Sequence, residues 1–140
     1  MAKFGKFSDE EMQKLVKKLK RVKKREFFEN GTKELAKRML VRVVRRTPVG
    51  KYPAGSGKKG GTLRRGWTAT PISHKGHTYT IDVINPVEYA PYVEYGHRTA
   101  NHKGWVEGQF MMTISAKRTE DAAPKVLGAM LDKMIGDALK

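Results

Sequence analysis

Between positions 12 and 44 the apolar residues keep to helical spacing, and this constrains the chain more than any other feature. Met12, Leu15, Val16, Leu19 and Val22 recur at intervals of three and four, and Leu35, Ala36, Met39, Leu40, Val43 and Val44 do so again. Such spacing lays one apolar stripe along a helix, and the stripe must be covered by something else. Ser8-Asp9-Glu10-Glu11 reads as a capping box, with Ser8 as N-cap and Glu11 at N3. Its three acids also suit the positive end of the helix dipole. Thr47-Pro48 ends the helix, because the residue before proline is driven out of the α region. Two readings stay open in the middle. Asn30-Gly31 is a C-cap pattern with Thr32 as a new N-cap, which gives two helices. The heptad phase 15, 22, 29, 36, 43 runs through the same place, which gives one long bent helix.

The segment 48–61, PVGKYPAGSGKKGG, holds five glycines, two prolines and three lysines. It reads as a flexible loop and not as a phosphate-binding loop, since no GxxxxGK[ST] follows a strand. Leu63, Arg65, Trp67 and Ala69 alternate with more polar residues, as do His77, Tyr79, Ile81 and Val83. Both runs predict strands, joined into an antiparallel hairpin by Ser73-His74-Lys75-Gly76. Pro71 marks an edge or a strand end. In the tyrosine-rich stretch NPVEYAPYVEYGHRT, Pro91 suits a first helical turn and Gly96 a C′ position, so 88–95 reads as a short helix. Its periodicity puts Glu88, Tyr92 and Tyr95 on one side and Tyr89 and Val93 on another. Residues 97–109 read as a polar loop. Phe110 to Ala116 fits a strand by alternation and a helix by the Phe110/Ile114 pair. A last amphipathic helix begins at Thr119, with Pro124 near its first turn, and carries Val126, Leu127, Met130, Leu131, Met134, Ile135 and Leu139. The sum is one α+β domain over 1–140. A basic helical region at 8–46, the Gly/Lys loop at 48–61, a β-hairpin at 62–84, the short helix at 88–95 and a C-terminal helix at 119–139 make up a small antiparallel sheet flanked by helices.

Charge is unevenly placed. The chain carries a formal net charge of +15, and residues 1–65 hold 21 Lys/Arg against 6 Asp/Glu, whereas residues 66–140 hold 8 of each. From 12 to 25 there is no acid at all. Lys17, Lys18 and Lys24 on that helix are candidates for contact with a polyanion or an acidic protein surface. The alternative is a solvated basic face that keeps the protein in solution. A basic nucleic-acid-binding protein using the 12–25 helix is therefore one functional reading, although no RNP-type aromatic interleaving or helix-turn-helix accompanies it. Trp67 and Trp105 are isolated and suit core or interface anchors better than base-stacking platforms.

Catalytic chemistry finds little support. No cysteine is present, which excludes disulfides, thiolate zinc sites and a cysteine nucleophile. No HExxH or GxSxG occurs, and Glu88 and Glu94 lie six apart, off a shared helix face. His97 and His102 share a loop near Glu94 and Glu107, the set a metal-dependent nuclease would use, but loop histidines in a basic chain are ordinarily solvated. No cofactor or metal is expected. The opening MAKFGKFSDEE lacks an apolar secretory core, and no apolar run approaches the ~20 residues of a membrane span.

Three segments, taken in order, resemble a known family. They are Arg46-Thr47-Pro48-Val49 leading through the glycine loop to Gly61-Thr62-Leu63-Arg64-Arg65-Gly66-Trp67, then Val83-Ile84-Asn85 into Glu88-Tyr89-Ala90-Pro91-Tyr92-Val93-Glu94-Tyr95-Gly96, then Gly108-Gln109-Phe110-Met111 before the last helix. Over roughly 35–140 the chain is similar to the small neck or tail-completion proteins of tailed bacteriophages and prophages. Their TPVDTGxLRxSW is matched here with a longer loop, and the threonine after their VExG is His97. The resemblance implies a non-catalytic subunit that rings the DNA path between head and tail. Its implied partners are copies of itself and neighbouring neck or tail proteins, and its implied place is the virion head–tail junction, after synthesis in the host cytoplasm. A ring interface is heterologous, so each subunit needs two different complementary surfaces. The candidates for subunit or partner contact are Tyr92, Glu94 and Tyr95, with Lys51, Lys58, Lys59, Arg64 and Arg65, while Tyr89 and Val93 are expected in the core.

Overall fold

The computed structural model describes residues 9–138, apart from the side chains at 9, 11, 12, 15, 16, 18, 19, 21, 22 and 138. The capping box at Ser8, the side chains of the first apolar stripe (Met12 to Val22), Lys18 and Leu139 thus lie outside the described residues. The architecture is α+β, as the sequence predicts: a long N-terminal helix, small antiparallel sheets and a C-terminal helix.

Helix α1 runs unbroken from Asp9 to Arg46, about 57 Å at ~1.5 Å per residue. Of the two readings, the single helix holds. Thr32 does not cap a new helix; its hydroxyl donates back to the Phe28 carbonyl at 2.7 Å, within the turn. Gly31 is not a terminus either. A Cβ there would lie 2.9 Å from Leu127 Cδ2, so this glycine marks the close approach of the C-terminal helix.

That helix, α4, spans Met111–Ala138 and starts eight residues earlier than the Thr119 expected from sequence. The ambiguous Phe110–Ala116 run is therefore helical from Met111, and Pro124 is interior instead of first-turn. Its ring removes one hydrogen bond of the ladder. α4 runs antiparallel to α1: Arg42 Nη1 donates to Thr119 Oγ1 at 2.9 Å, Gly31 meets Leu127, and Phe27 and Met134 line one notch. α1 covers only part of α4's stripe. Leu131 and Ile135 are left exposed.

Between the two long helices lies a short helix, α2 (Thr62–Arg65), and then a bent hairpin. Leu63 and Arg65 were expected in a strand, but the pair of glycines before Thr62 releases the chain into a helical turn that buries Leu63. The hairpin consists of β1 (Thr68–Ala69), β2 (Ser73–Lys75), β3 (Thr78–Thr80) and β4 (Val83–Ile84). β1 pairs with β4 through Thr68↔Ile84, and β2 with β3 through His74↔Tyr79. The turn is Gly76-His77, shifted from the expected 73–76, with Gly76 at φ +60, which glycine adopts most readily. Pro71 lacks an N–H and splits the ladder in two, while Thr70 bridges the gap by bonding Asp82 in both directions. Tyr79 stacks between His74 at 4.5 Å and Phe28 at 5.8 Å, which fastens the hairpin to α1.

After β4 come α3 (Ala90–Tyr95), β5 (Gly96–Arg98) and β6 (Trp105–Glu107), with β5 and β6 antiparallel. The segment expected to be a polar loop thus contains a third two-stranded pair. Its two strands are only three residues each, too short for alternation to reveal.

The buried core is small: Val43, Leu63, Ala90 and Met111, one from each of the four helices, with Leu40, Trp67, Val83, Val87, Val93 and Met112 packed around it. Tyr89, expected here, is instead 46% exposed. A polar knot holds the core's rim. Thr47 is fully buried and donates to the Val43 carbonyl at 2.6 Å; Trp67 Nε1 donates to its hydroxyl at 2.7 Å. Arg64 donates twice to the Thr47 carbonyl, at 3.1 and 2.7 Å, and so caps the end of α1. Asn85 Nδ2 donates to the Leu63 carbonyl at 2.7 Å, and Gly66 leaves room for the Asn85 side chain. Thr47→Val preserves shape but leaves the Trp67 N–H without its acceptor, so it should cost about 1–3 kcal/mol. Denaturant unfolding checks this, and an unchanged midpoint would show that the knot adds nothing to stability.

Candidate functional site

The tyrosine-rich stretch presents its tyrosines to solvent because one of its residues turns inward. Pro91 sits in the first turn of α3, and Gly96 closes the helix at φ +91, donating its N–H to the Tyr92 carbonyl. Glu94, only 6% exposed, points toward the start of α4. Its carboxylate accepts from the Met112 N–H at 2.8 Å, the Thr113 N–H at 2.8 Å and the Thr113 hydroxyl at 2.6 Å. These are donors of the first helical turn, which has no partners within its own helix. A carboxylate there also meets the positive end of the dipole. The bonding is reciprocal: Gln109 and Phe110 donate their N–H groups to the carbonyls of Val93 and Glu94, at 2.8 and 3.0 Å. The crossing is tight enough that a side chain on Gly108 would collide with the Glu94 carbonyl.

With Ala90 and Glu94 facing in, the opposite side of α3 faces out. Tyr92 is 60% and Tyr95 65% exposed. Phe110, held at φ +47 where a bulky residue is strained, meets Tyr95 edge-on at 6.5 Å. His97 meets Tyr92 edge-on at 6.4 Å. Trp105 and Val106 on β6 are exposed beside them. From Gly76 to His97 the sequence contains no Lys or Arg, so the α3 part of this face is free of cations, while Arg98 is exposed opposite Trp105 on the β5–β6 part. An exposed aromatic surface of this kind is the candidate for contact with a partner.

The structure sorts the residues singled out from sequence. Tyr92 and Tyr95 lie on the face. Glu94 lies beneath it and positions it. Lys51, Lys58 and Lys59 are exposed on the glycine loop, with Lys58 Nζ 5.8 Å from the Tyr52 ring centre. Arg64 is occupied at Thr47, while Arg65, exposed, donates from Nη1 to the Gly60 carbonyl at 3.2 Å and braces the loop's return. Lys17 and Lys24 are exposed on α1, Lys24 over the Phe28 ring at 5.8 Å. Phe110 was missed as a surface residue, and of the two readings given to Trp105, core or interface anchor, its exposure excludes the core. The signal available was a large aromatic beside a glycine-bearing turn, Gly104-Trp105 and Gly108-Gln109-Phe110. Among the described residues, no group of three or more His, Cys, Asp or Glu could hold a metal ion, and no helix is long and apolar enough to cross a membrane.

Removing the inward carboxylate tests the geometry. Glu94→Ala leaves two helix N–H groups and a hydroxyl without their acceptor and should cost about 1.5–3 kcal/mol. Glu94→Gln, which keeps one acceptor oxygen, should cost less. Amide exchange at Met112 and Thr113 should quicken in both, and unchanged exchange would rule out the cap.

Comparison with known proteins adds one finding. Residues 10–96 match the family model HK97-gp10_like, described as "Bacteriophage HK97-gp10, putative tail-component". No curated protein and no solved structure matches the chain. The matched segment takes in Thr47, Arg64, Trp67 and Asn85, which build the knot, and the whole of α3 with Tyr92 and Tyr95, but ends before Trp105 and Phe110. The chain belongs to the HK97 gp10-like family.

Proposed function

We propose that this chain is a non-catalytic structural protein of a phage or prophage virion, forming a ring in the neck that joins or completes head and tail. The observation that carries the reading is the aromatic face: Tyr92 and Tyr95 exposed on a helix that is locked to the core from behind, with Phe110 beside Tyr95. Family membership supports the setting, since a tail component works by contact with other virion proteins. The motif residues support it as well: Thr47, Arg64, Trp67 and Asn85 bond to one another and to backbone, which leaves them no role in chemistry on a substrate. The partners in this reading are copies of the chain and neighbouring neck or tail proteins. Genomic DNA passes through the ring.

Imaging of assembled particles by cryo-electron microscopy tests the location. A ring of this chain at the head–tail junction is the expected result, and particles with none of it there would sink the assignment. Tyr92→Ala, on a side chain 60% exposed, should leave the isolated fold intact by circular dichroism yet lower incorporation into particles at least tenfold. Normal incorporation would remove Tyr92 from the interface.

A second reading has its own observation. Lys17, Lys20 and Lys24 are exposed and share one side of α1 by their spacing of three and four. Such a row suits a phosphate backbone. Binding of duplex DNA would then weaken steeply with salt, and Lys17→Glu/Lys24→Glu would flatten that dependence. Absence of salt-dependent binding would discard this reading.

A further inference from the structure

Residues 50–60 form an arm. The chain leaves and returns through one point, where Gly60 lies so close to the Gly50 carbonyl that a Cβ would overlap it. Every residue from 51 to 59 is exposed. The hydrogen bonds of the tip are local: Ser56 N–H to the Pro53 carbonyl at 3.2 Å and Lys58 N–H to Ser56 Oγ at 3.3 Å. Gly55 and Gly57 take left-handed φ values of +84 and +72 with open space around them. Among the described residues no ion pair involves Lys51, Lys58 or Lys59. The sequence offers no acid nearby, since none occurs from 35 to 81. The arm is thus an exposed cationic element with no ion-pair partner among the described residues of its own copy.

The aromatic face is its complement. Its α3 part lies in the stretch 76–97 that holds no Lys or Arg; Glu88 and Glu107 are exposed around it, and Arg98 is exposed opposite Trp105. In the same copy the arm's base comes only to the edge of it: Tyr52 and Lys59 share a groove with Tyr89 and Val93, one turn before Tyr92. No hydrogen bond, ion pair or ring contact among the described residues joins the arm to Tyr92 or Tyr95. The arm already shows the chemistry required, because it holds Lys58 over the Tyr52 ring.

We propose that the aromatic face receives the arm of a second copy, with Lys51, Lys58 and Lys59 of one copy seated on Tyr92, Tyr95 and Phe110 of the next. The proposal rests on the ring reading and names the contact that would build it. It is heterologous, as an arm-to-face contact must be, so it propagates from copy to copy instead of closing a symmetric pair. Opposite charge sets its direction and register.

The chain has no cysteine, so single introduced thiols report on one position each. Full-length Lys58→Cys and Tyr95→Cys proteins are mixed in equal amounts and treated with a short bis-maleimide, each thiol adding to one maleimide double bond. Tyr92→Cys serves as a second face variant if Tyr95→Cys folds poorly. Light scattering on the unmodified protein records self-association. Cross-linked dimer in the mixture, and none in either variant alone, is the expected result. Self-association without the mixed cross-link, or cross-linking of the face variant to itself, overturns the arm-to-face contact and leaves the ring reading standing. No self-association at any concentration overturns it as a contact the chain makes unaided, and particle imaging then judges the ring separately. A salt-sensitive DNA complex lost in Lys58→Glu/Lys59→Glu, without self-association, overturns it in favour of nucleic acid as the arm's partner.

Discussion

The carboxylate of Glu94 under the first turn of α4 is the interaction on which the rest of this structure depends. A helix of 28 residues begins with N–H groups that its own backbone cannot satisfy. Ordinarily a side chain at the N-cap position accepts from them. Here that position is Phe110, which has no acceptor in its side chain, and Glu94 does the task from another helix. One residue therefore satisfies α4, fixes the angle between α3 and α4, and decides which face of α3 points outward. A local cap would have stabilised the helix without orienting anything.

The segments that look like motifs are mostly joints of the same kind. Thr47 ends α1, Arg64 belongs to α2, Trp67 precedes β1 and Asn85 follows β4, yet three of them meet at Thr47 and the fourth grips Leu63. With four apolar side chains buried at its centre among the described residues, the fold leans on these bonds to hold its short elements in place. Buried polar groups that find all their partners specify geometry more narrowly than apolar contact does. This is why Ser115 stands out: its hydroxyl is the one side-chain atom among the described residues that is buried without a partner. No bonding explanation for it is visible in the structure.

The division of charge follows the division of the fold. α1 and the arm carry the cations; α3 and the paired β5 and β6 present aromatic rings with few cations among them. Placing Phe110 at a positive φ is costly for a bulky residue, on the order of 1–3 kcal/mol, and such strain persists only where its surroundings over-determine it. The two flanking hydrogen bonds to α3 and the cap from Glu94 supply that constraint.

The sequence by itself determined the fold class and that helices open and close the chain, though not that α1 is unbroken nor that α4 starts at Met111. The apolar periodicity of α1 and α4, the stop at Thr47-Pro48, the glycine arm and the α+β composition are all local signals repeated over many residues, so they survive without knowledge of the partner surfaces. It also singled out Tyr92 and Tyr95, because helical spacing separates them from Val93. Tertiary structure alone decided the rest. Gly31 looks like a helix end until Leu127 is seen against it; Tyr89 looks like core until its exposure is seen; Leu63 alternates like a strand residue and is helical. Glu94 and Arg64 read as surface charges, and each is taken up by a backbone group that is distant in sequence, 18 residues away for the Met112 N–H and 17 for the Thr47 carbonyl. A charged side chain has no periodicity that names its acceptor or donor. Whether it faces solvent or a helix end depends on which end the fold brings to it.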